Sequence, residues 1–284
     1  MSFTVELTDE EFTRFRALIY RVSGIQIPVT KRVMVSNRLR KRLRATSIST
    51  FAAYYTMLTS PGPGEAEMPR FLDEITTNET YFFRDGHHFE WFGSTFIPEL
   101  IAKAKLGKRP RSLRVWSAAA STGEELYSLA IKLSEHKADL AGWKITLLGT
   151  DLSGAVLESA KAGSYDDRSL RLVTAEQRKL FFDHDPAKQR WIVKPELRAL
   201  VTWKPHNLLR PFVGEPFDLI LLKNVMIYFD ADSKQKVVKN LLAAMARDGY
   251  LIIGPTEGVH NLLGSVDRHK AWLYQRGGGD VGGV

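Results

Sequence analysis

Residues 115–125, VWSAAASTGEE, pass from an apolar run through small side chains into two adjacent acids. This order suits a loop that lets a ligand approach backbone amides at a helix N-terminus. It suits simple capping equally well, since Ser121 with Glu124, or Thr122 with Glu125, fits the S/T-x-x-E box. One glutamate completes a given cap, which leaves the second free. Gly123 stands without the other glycines of G-x-G-x-x-G, so a dinucleotide is disfavoured. Asp151 closes the strand-like run KITLLGTD, where an acid either accepts hydrogen bonds from a ribose diol or caps the following helix. Asn207 in HNLL, and Asn224 and Tyr228 in KNVMIYF, follow further strand-like runs. Gathered at one sheet edge, these side chains would hold a nucleoside; Tyr228 taken alone reads more readily as an amphipathic core residue with its hydroxyl in water than as a catalytic one.

The elements that must position them alternate. SLRVW reads as a strand and Gly123 to His136 as an amphipathic helix; KITLLGTD is a strand, DLSGAVLESAKAG a helix and FDLILLKN a strand buried on both faces. DADSKQKVVKNLLAAMARDG follows as a helix closed by Gly249, then YLIIG as a strand, HKAWLYQR as an edge strand and GGGDVGGV as a disordered tail. Such alternation predicts an α/β fold with a doubly wound, Rossmann-like, largely parallel sheet. Residues 163–205 break the pattern with a short helix and the runs RWIVK and ALVTW, read as an antiparallel β insertion. Residues 1–77 read instead as a small all-α domain of four short helices, the first opened by a Thr8/Glu11 capping box and stopped by Gly24.

Composition narrows the chemistry. The chain has 284 residues and no cysteine, which excludes disulfides and a thiolate nucleophile. Its seven histidines show no metal-ligand spacing, so no metal is expected. No apolar run approaches the roughly 18 residues needed to cross a bilayer. The acidic, mixed start MSFTVELTDEE is unlike a signal peptide, which predicts a cytoplasmic protein. Net charge is +8, and residues 31–44 alone carry seven basic side chains (Lys31, Arg32, Arg38, Arg40, Lys41, Arg42 and Arg44) with no acid. With Val35, Leu39 and Leu43 as the buried stripe, the arginines are expected to face outward, toward solvent or an acidic partner.

The stretches TNETYFFRD, RVWSAAASTGEELYS, GTDLS and NVMIYF, with their spacing, resemble the CheR family of S-adenosylmethionine-dependent protein-glutamate O-methyltransferases of bacterial chemotaxis. The resemblance runs from about Thr8 to Tyr274 and implies a helical N-terminal domain followed by a methyltransferase domain (78–284) with a β insertion. By motif it implies that Asn78, Thr80 and Arg84 face the cofactor and the transferring methyl. It assigns Glu125, Asp151, Asn207, Leu208, Lys223 and Asn224 to cofactor binding, leaves Glu124 as the cap, and sets Tyr228 beside the acceptor carboxylate. Lys223 stands where the family usually has Arg, Leu126 where it has Pro, and GPTE (254–257) where it has G-H-S-E. Lys223 keeps the charge but not the planar fork.

The resemblance further implies S-adenosylhomocysteine as product and chemoreceptor methylation helices as partners, docked on Arg38, Arg40, Lys41, Arg42 and Arg44. In some relatives the β insertion grips a receptor's C-terminal pentapeptide. A monomer is expected, with neither nucleic acid nor membrane insertion. Two competing readings are a nucleic-acid methyltransferase and a non-catalytic adaptor of the same fold. Asn224-Val225-Met226-Ile227 lacks the Asn/Asp-Pro-Pro-Tyr/Phe element of the first, and the full set of site residues argues against the second.

Overall fold

The structure, a computed structural model, describes residues 5–277. Most of the expected glycine tail, 278–284, lies outside the described residues.

Four helices come first: α1 (Asp9–Ser23), α2 (Arg32–Thr46), α3 (Phe51–Leu58) and α4 (Pro63–Ile75). Thr8 and Glu11 form the expected capping box, and Gly24 ends α1 in the left-handed region at φ 74°. Phe12, Phe15, Leu18 and Ile19 of α1 pack with Val35, Leu39 and Leu43 of α2 and with Tyr54 and Phe71. Burying four apolar faces against one another is what stabilises helices this short.

The outward expectation for the α2 arginines needs correction. Arg42 turns inward, its Nε donating to Glu67 Oε1 at 2.7 Å, while Tyr54 Oη donates to the same oxygen at 3.0 Å. Glu67 is 5% exposed, so its charge requires the half-buried Arg42 guanidinium.

Helix α5 (Gly86–Trp91) continues through one π turn at 92–96 into α6 (Ile97–Lys105). Then follow β1 (Ser112–Ser117), α7 (Glu124–Ser134), β2 (Lys144–Asp151), α8 (Gly154–Ala162), β3 (Ser164–Tyr165), α9 (Ala175–Phe181), β4 (Phe182–Asp185) and β5 (Arg190–Val193). After α10 (Pro195–Arg198) come β6 (Val201–Pro205), β7 (Phe217–Leu222), α11 (Ala231–Ala244), β8 (Met245–Ile253), β9 (Asp267–Lys270) and β10 (Leu273–Gln275). The main sheet has the order β6-β2-β1-β7-β8-β10-β9, parallel from β6 to β8 and antiparallel beyond. Strand order reverses between β1 and β7, so the crevice beyond their carboxyl ends is where this class of sheet binds ligands. Leu219 and Leu221 enter one apolar layer while Ile220 and Leu222 enter the other, the two-sided burial that the FDLILL run predicts.

Three readings change. ALVTW supplies β6, paired in parallel with β2 from Leu147↔Val201 to Asp151↔Pro205, and the insertion sheet is β3-β5-β4 instead. HKAWLYQR is divided between β9 and β10 by a turn at Ala271–Trp272, and β10 lies inside the sheet. Helix α11 ends at Ala244; Gly249 sits in β8, where an added Cβ would meet carbonyl oxygens of Ala246 and Phe217 at 2.9 Å. Among the described residues no helix is long and apolar enough to cross a membrane.

Candidate functional site

Beyond the carboxyl ends of β1, β2 and β7 lies a cleft of two adjoining lobes, about 580 Å³ and 70 Å³. Asn78, Asp151 and Asn224 line both lobes. Asn207, Leu208 and Tyr228 line the larger; Thr80, Arg84, Glu125 and Lys223 line the smaller. All ten side chains singled out for cofactor or acceptor thus share one cleft.

The small-residue loop is pinned through Ser121. Ser121, at φ 49°, donates its amide to Asp151 Oδ2 at 2.9 Å and its hydroxyl to the Asn78 carbonyl at 2.9 Å. Neither expected capping box forms, because Gly123 is the N-cap of α7, at φ 96°. A Cβ there would meet Trp203 at 2.8 Å and Ala160 at 2.9 Å, which excludes any larger residue. Glu124 is instead buried, with Thr122 Oγ1 donating to it at 2.6 Å, and burial pushes its carboxyl above the ordinary range.

Glu125 points into the cleft. Its Oε1 accepts from Ser117 Oγ at 2.9 Å and its Oε2 lies 3.0 Å from Lys223 Nζ. Lys223, whose side chain is only 4% exposed, also reaches the Arg84 carbonyl at 3.1 Å and Asp85 Oδ2 at 3.4 Å. It therefore joins the end of β7, α7 and the connector between α4 and α5, residues 76–85. Asp151 accepts from Ser121 and Ser153 amides at 2.9 and 3.0 Å. Burial raises its pKa, and the backbone donors oppose that shift by favouring the anion. The cap of α8 is Ser153, so Asp151 keeps its remaining lone pairs for the cleft.

Arg84 donates Nη1 to the Glu79 carbonyl at 3.1 Å and sits near the Tyr81 ring. Asn207 is partly committed to the fold: Nδ2 donates to the Val22 carbonyl at 2.8 Å and Oδ1 accepts from the Leu209 amide at 3.0 Å. Asn78 Nδ2 donates to Thr76 Oγ1 at 3.1 Å.

The basic helix divides. Arg38 reaches over the larger lobe to the Ile75 and Thr76 carbonyls and Thr77 Oγ1, tying α2 to the connector. Arg40 holds Asn37 and the Val5 carbonyl, and Arg42 is the inward residue already described. Lys41 is exposed and meets Glu74 at 3.1 Å; Arg44 is exposed with no ion-pair partner among the described residues.

One residue escaped sequence reasoning. Glu257 is fully buried, its two carboxylate oxygens accepting from the Asn224 and Met226 amides (the latter 2.7 Å), and burial raises its pKa. The only signal was an acid in the GPTE segment between apolar runs.

The cleft fits an adenosyl sulfonium: apolar walls flank the larger lobe, strand-end Asp151 suits a ribose diol, and the Glu125, Arg84 and Lys223 charges suit an amino-acid moiety. Residues 78–271 match the family model described as CheR methyltransferase, SAM binding domain, which makes this an S-adenosylmethionine-dependent methyltransferase. Residues 10–76 match the all-alpha domain of the same family, and the chain belongs to the CheR methyltransferase family. A chemotaxis protein methyltransferase of Klebsiella aerogenes is 38% identical over 261 residues, covering 90% of this chain and 86% of that protein. The Salmonella typhimurium protein of the same description is 37% identical over 268 residues, covering 93% and 88%. Chemotaxis protein methyltransferase 1 of Pseudomonas aeruginosa is 36% identical over 257 residues, covering 89% and 91%.

Proposed function

We propose that the enzyme methylates glutamate side-chain carboxylates on the cytoplasmic methylation helices of chemoreceptors, leaving a methyl ester and S-adenosylhomocysteine. The convergence of ten chemically suited side chains on one cleft carries this reading. The cofactor, when bound, supplies an electrophilic sulfonium methyl. Asp151 then accepts from the ribose, Asn207 and Leu208 flank the adenine, and Glu125 with Asn78, Thr80, Lys223 and Asn224 holds the amino-acid end. Arg84 and Tyr228 orient the acceptor carboxylate from the two lobes. A glutamate is already ionised at neutral pH, with an ordinary pKa of about 4.3, so no general base is needed. Catalysis is then alignment and exclusion of water.

Residues 1–77 serve in this reading as the receptor-docking unit and 78–284 as the catalytic unit, acting as a cytoplasmic monomer. The exposed Lys41 and Arg44 suit an acidic receptor face, and the sheet within 163–205 suits an extended C-terminal pentapeptide. Incubation with tritiated S-adenosylmethionine and receptor fragments tests the central claim. Base-labile carboxyl label on glutamate is expected; base-stable label, or none, sinks it.

A further inference from the structure

The turn from Asn224 to Phe229 carries Tyr228 into the cleft, yet the Tyr228 side chain makes no hydrogen bond to any described residue and is 40% exposed. Its placement must therefore come from the main chain. Asn224 adopts φ 59°, in the left-handed region that asparagine tolerates better than most other non-glycine residues, and its surroundings hold it there. Glu257 does so from the sheet side, taking the Asn224 and Met226 amides. Bonds from the Tyr228 and Phe229 amides to the Val225 and Met226 carbonyls, 3.1 and 3.0 Å, close a short 3-10 turn at Met226–Tyr228.

The second hold comes from the helical unit. After Gly24, the chain runs as a strap along the same cavity, and the Gln26 amide donates to the Tyr228 carbonyl at 2.8 Å while Ile25 bridges antiparallel to Phe229. The strap is itself anchored. The Ile25 amide donates to Ser23 Oγ at 3.1 Å, and Tyr20 Oη donates at 2.7 Å to Asp230, which caps α11 through the Ser233 amide. Two elements far apart in sequence thus grip one short turn from opposite sides.

We infer that Glu257 and the main chain of Ile25–Gln26 are positioning groups for methyl transfer, fixing the 224–229 turn so that Tyr228 meets the acceptor carboxylate. The helical unit is then part of the active site as well as a docking surface. This rests on the acceptor role proposed above for Tyr228, and the experiment separates the two.

In the full-length enzyme, Gln26→Pro deletes the donating N–H, whereas Gln26→Ala keeps it. Receptor methylation kinetics and calorimetric titration with S-adenosylhomocysteine are measured for both, for Glu257→Gln, and for Tyr228→Phe alone and combined with Gln26→Pro. Displacement of an aligning group predicts a kcat loss on the order of 10- to 100-fold in Gln26→Pro and in Glu257→Gln, exceeding any change in S-adenosylhomocysteine affinity, which is confined to Glu257→Gln through Asn224. Turnover returns in Gln26→Ala. The double variant loses no more than Tyr228→Phe, because both changes act through one side chain. Multiplying losses, or Gln26→Pro and Glu257→Gln both turning over like the parent while Tyr228→Phe is impaired, overturn the positioning inference alone. A silent Tyr228→Phe overturns the tyrosine's role and the inference with it. Should Gln26→Pro not fold, Glu257→Gln and its combination with Tyr228→Phe decide by the same criteria.

Discussion

Lys223 Nζ stands 3.0 Å from Glu125 Oε2, a contact between the end of β7 and the first turn of α7 in which both side chains are largely buried. Desolvating two charges is costly, so the pair contributes mainly by each partner keeping the other from being stranded. Lys223→Met leaves Glu125 without its cation and releases the Arg84 carbonyl. The expected loss is about 3–5 kcal/mol of stability, together with weaker S-adenosylhomocysteine binding. Urea unfolding and calorimetric titration check both, and parent-like values in both would show that Lys223 holds nothing in place.

Arg84 is a different case, because its side chain carries little of the fold. Its hydrogen bond is to the neighbouring Glu79 carbonyl and its ring contact is to nearby Tyr81. Arg84→Ala is therefore expected to keep the melting temperature while lowering methyl transfer by about 100-fold or more, the usual loss for a charged aligning donor. Unchanged turnover by a folded variant would remove Arg84 from the acceptor side.

The α2 basic run makes separable predictions. Arg42→Glu would place a second carboxylate against buried Glu67, so it is expected to destabilise the helical unit by at least about 3–5 kcal/mol whatever it does to docking. Lys41→Glu with Arg44→Glu gives up only the surface Lys41–Glu74 pair and leaves stability within about 1 kcal/mol of the parent. This double change is expected to weaken receptor methylation most at low salt, where exposed charges are least screened. Equal rates for parent and double variant at low ionic strength would place docking elsewhere.

The contrast between those arginines shows what the sequence could and could not convey. Local rules were legible: the Thr8/Glu11 box, the Val35/Leu39/Leu43 stripe, and the two-sided apolar run of β7 all depend on neighbours within a few residues. The strand-end side chains were legible for the same reason, since a strand followed by a polar residue marks one edge of a parallel sheet. Arg42 was not, because its partner Glu67 lies 25 residues away and the stripe says nothing of a buried acid opposite. ALVTW was placed in the wrong sheet because its pattern suits any half-buried strand, and only pairing with Leu147 to Asp151 decides. The β9–β10 turn at Ala271–Trp272 lacks the Gly or Asn that announces a hairpin. Glu257 acts on backbone amides, which no residue pattern displays.

Asp151 gives a pH prediction for binding. Its carboxyl titrates above the ordinary 3.8 because burial penalises the anion, although the Ser153 and Ser121 amides resist. A ribose diol donates to the ionised form. Affinity for S-adenosylhomocysteine is thus expected to fall on acidification at a higher pH than an exposed aspartate would impose, and Asp151→Asn should bind more weakly with that pH dependence flattened. Titration calorimetry across the acid range checks this; an unaltered profile in Asp151→Asn would dissociate Asp151 from the sugar.

His88 gives the complementary prediction for stability. It is 1% exposed, packs against Trp272 with ring centroids 4.4 Å apart, and neither ring nitrogen has a hydrogen-bond partner among the described residues. Burial, reinforced by the Lys223 charge and by His87, lowers its pKa from 6.5 to about 2. The folded state therefore holds it neutral while the unfolded chain takes up a proton below 6.5. Stability linked to His88 is complete above pH 6.5 and declines as pH falls, at about 1.4 kcal/mol per unit, or about 2 kcal/mol by pH 5. His88→Leu removes both the titration and the two unpaired nitrogens, so urea unfolding at pH 7.5 and pH 5 should show a smaller acid loss than in the parent by that amount. Equal acid losses in the two proteins would mean that His88 is protonated in the folded state as readily as in the unfolded chain, and that the packing against Trp272 does not exclude the charge.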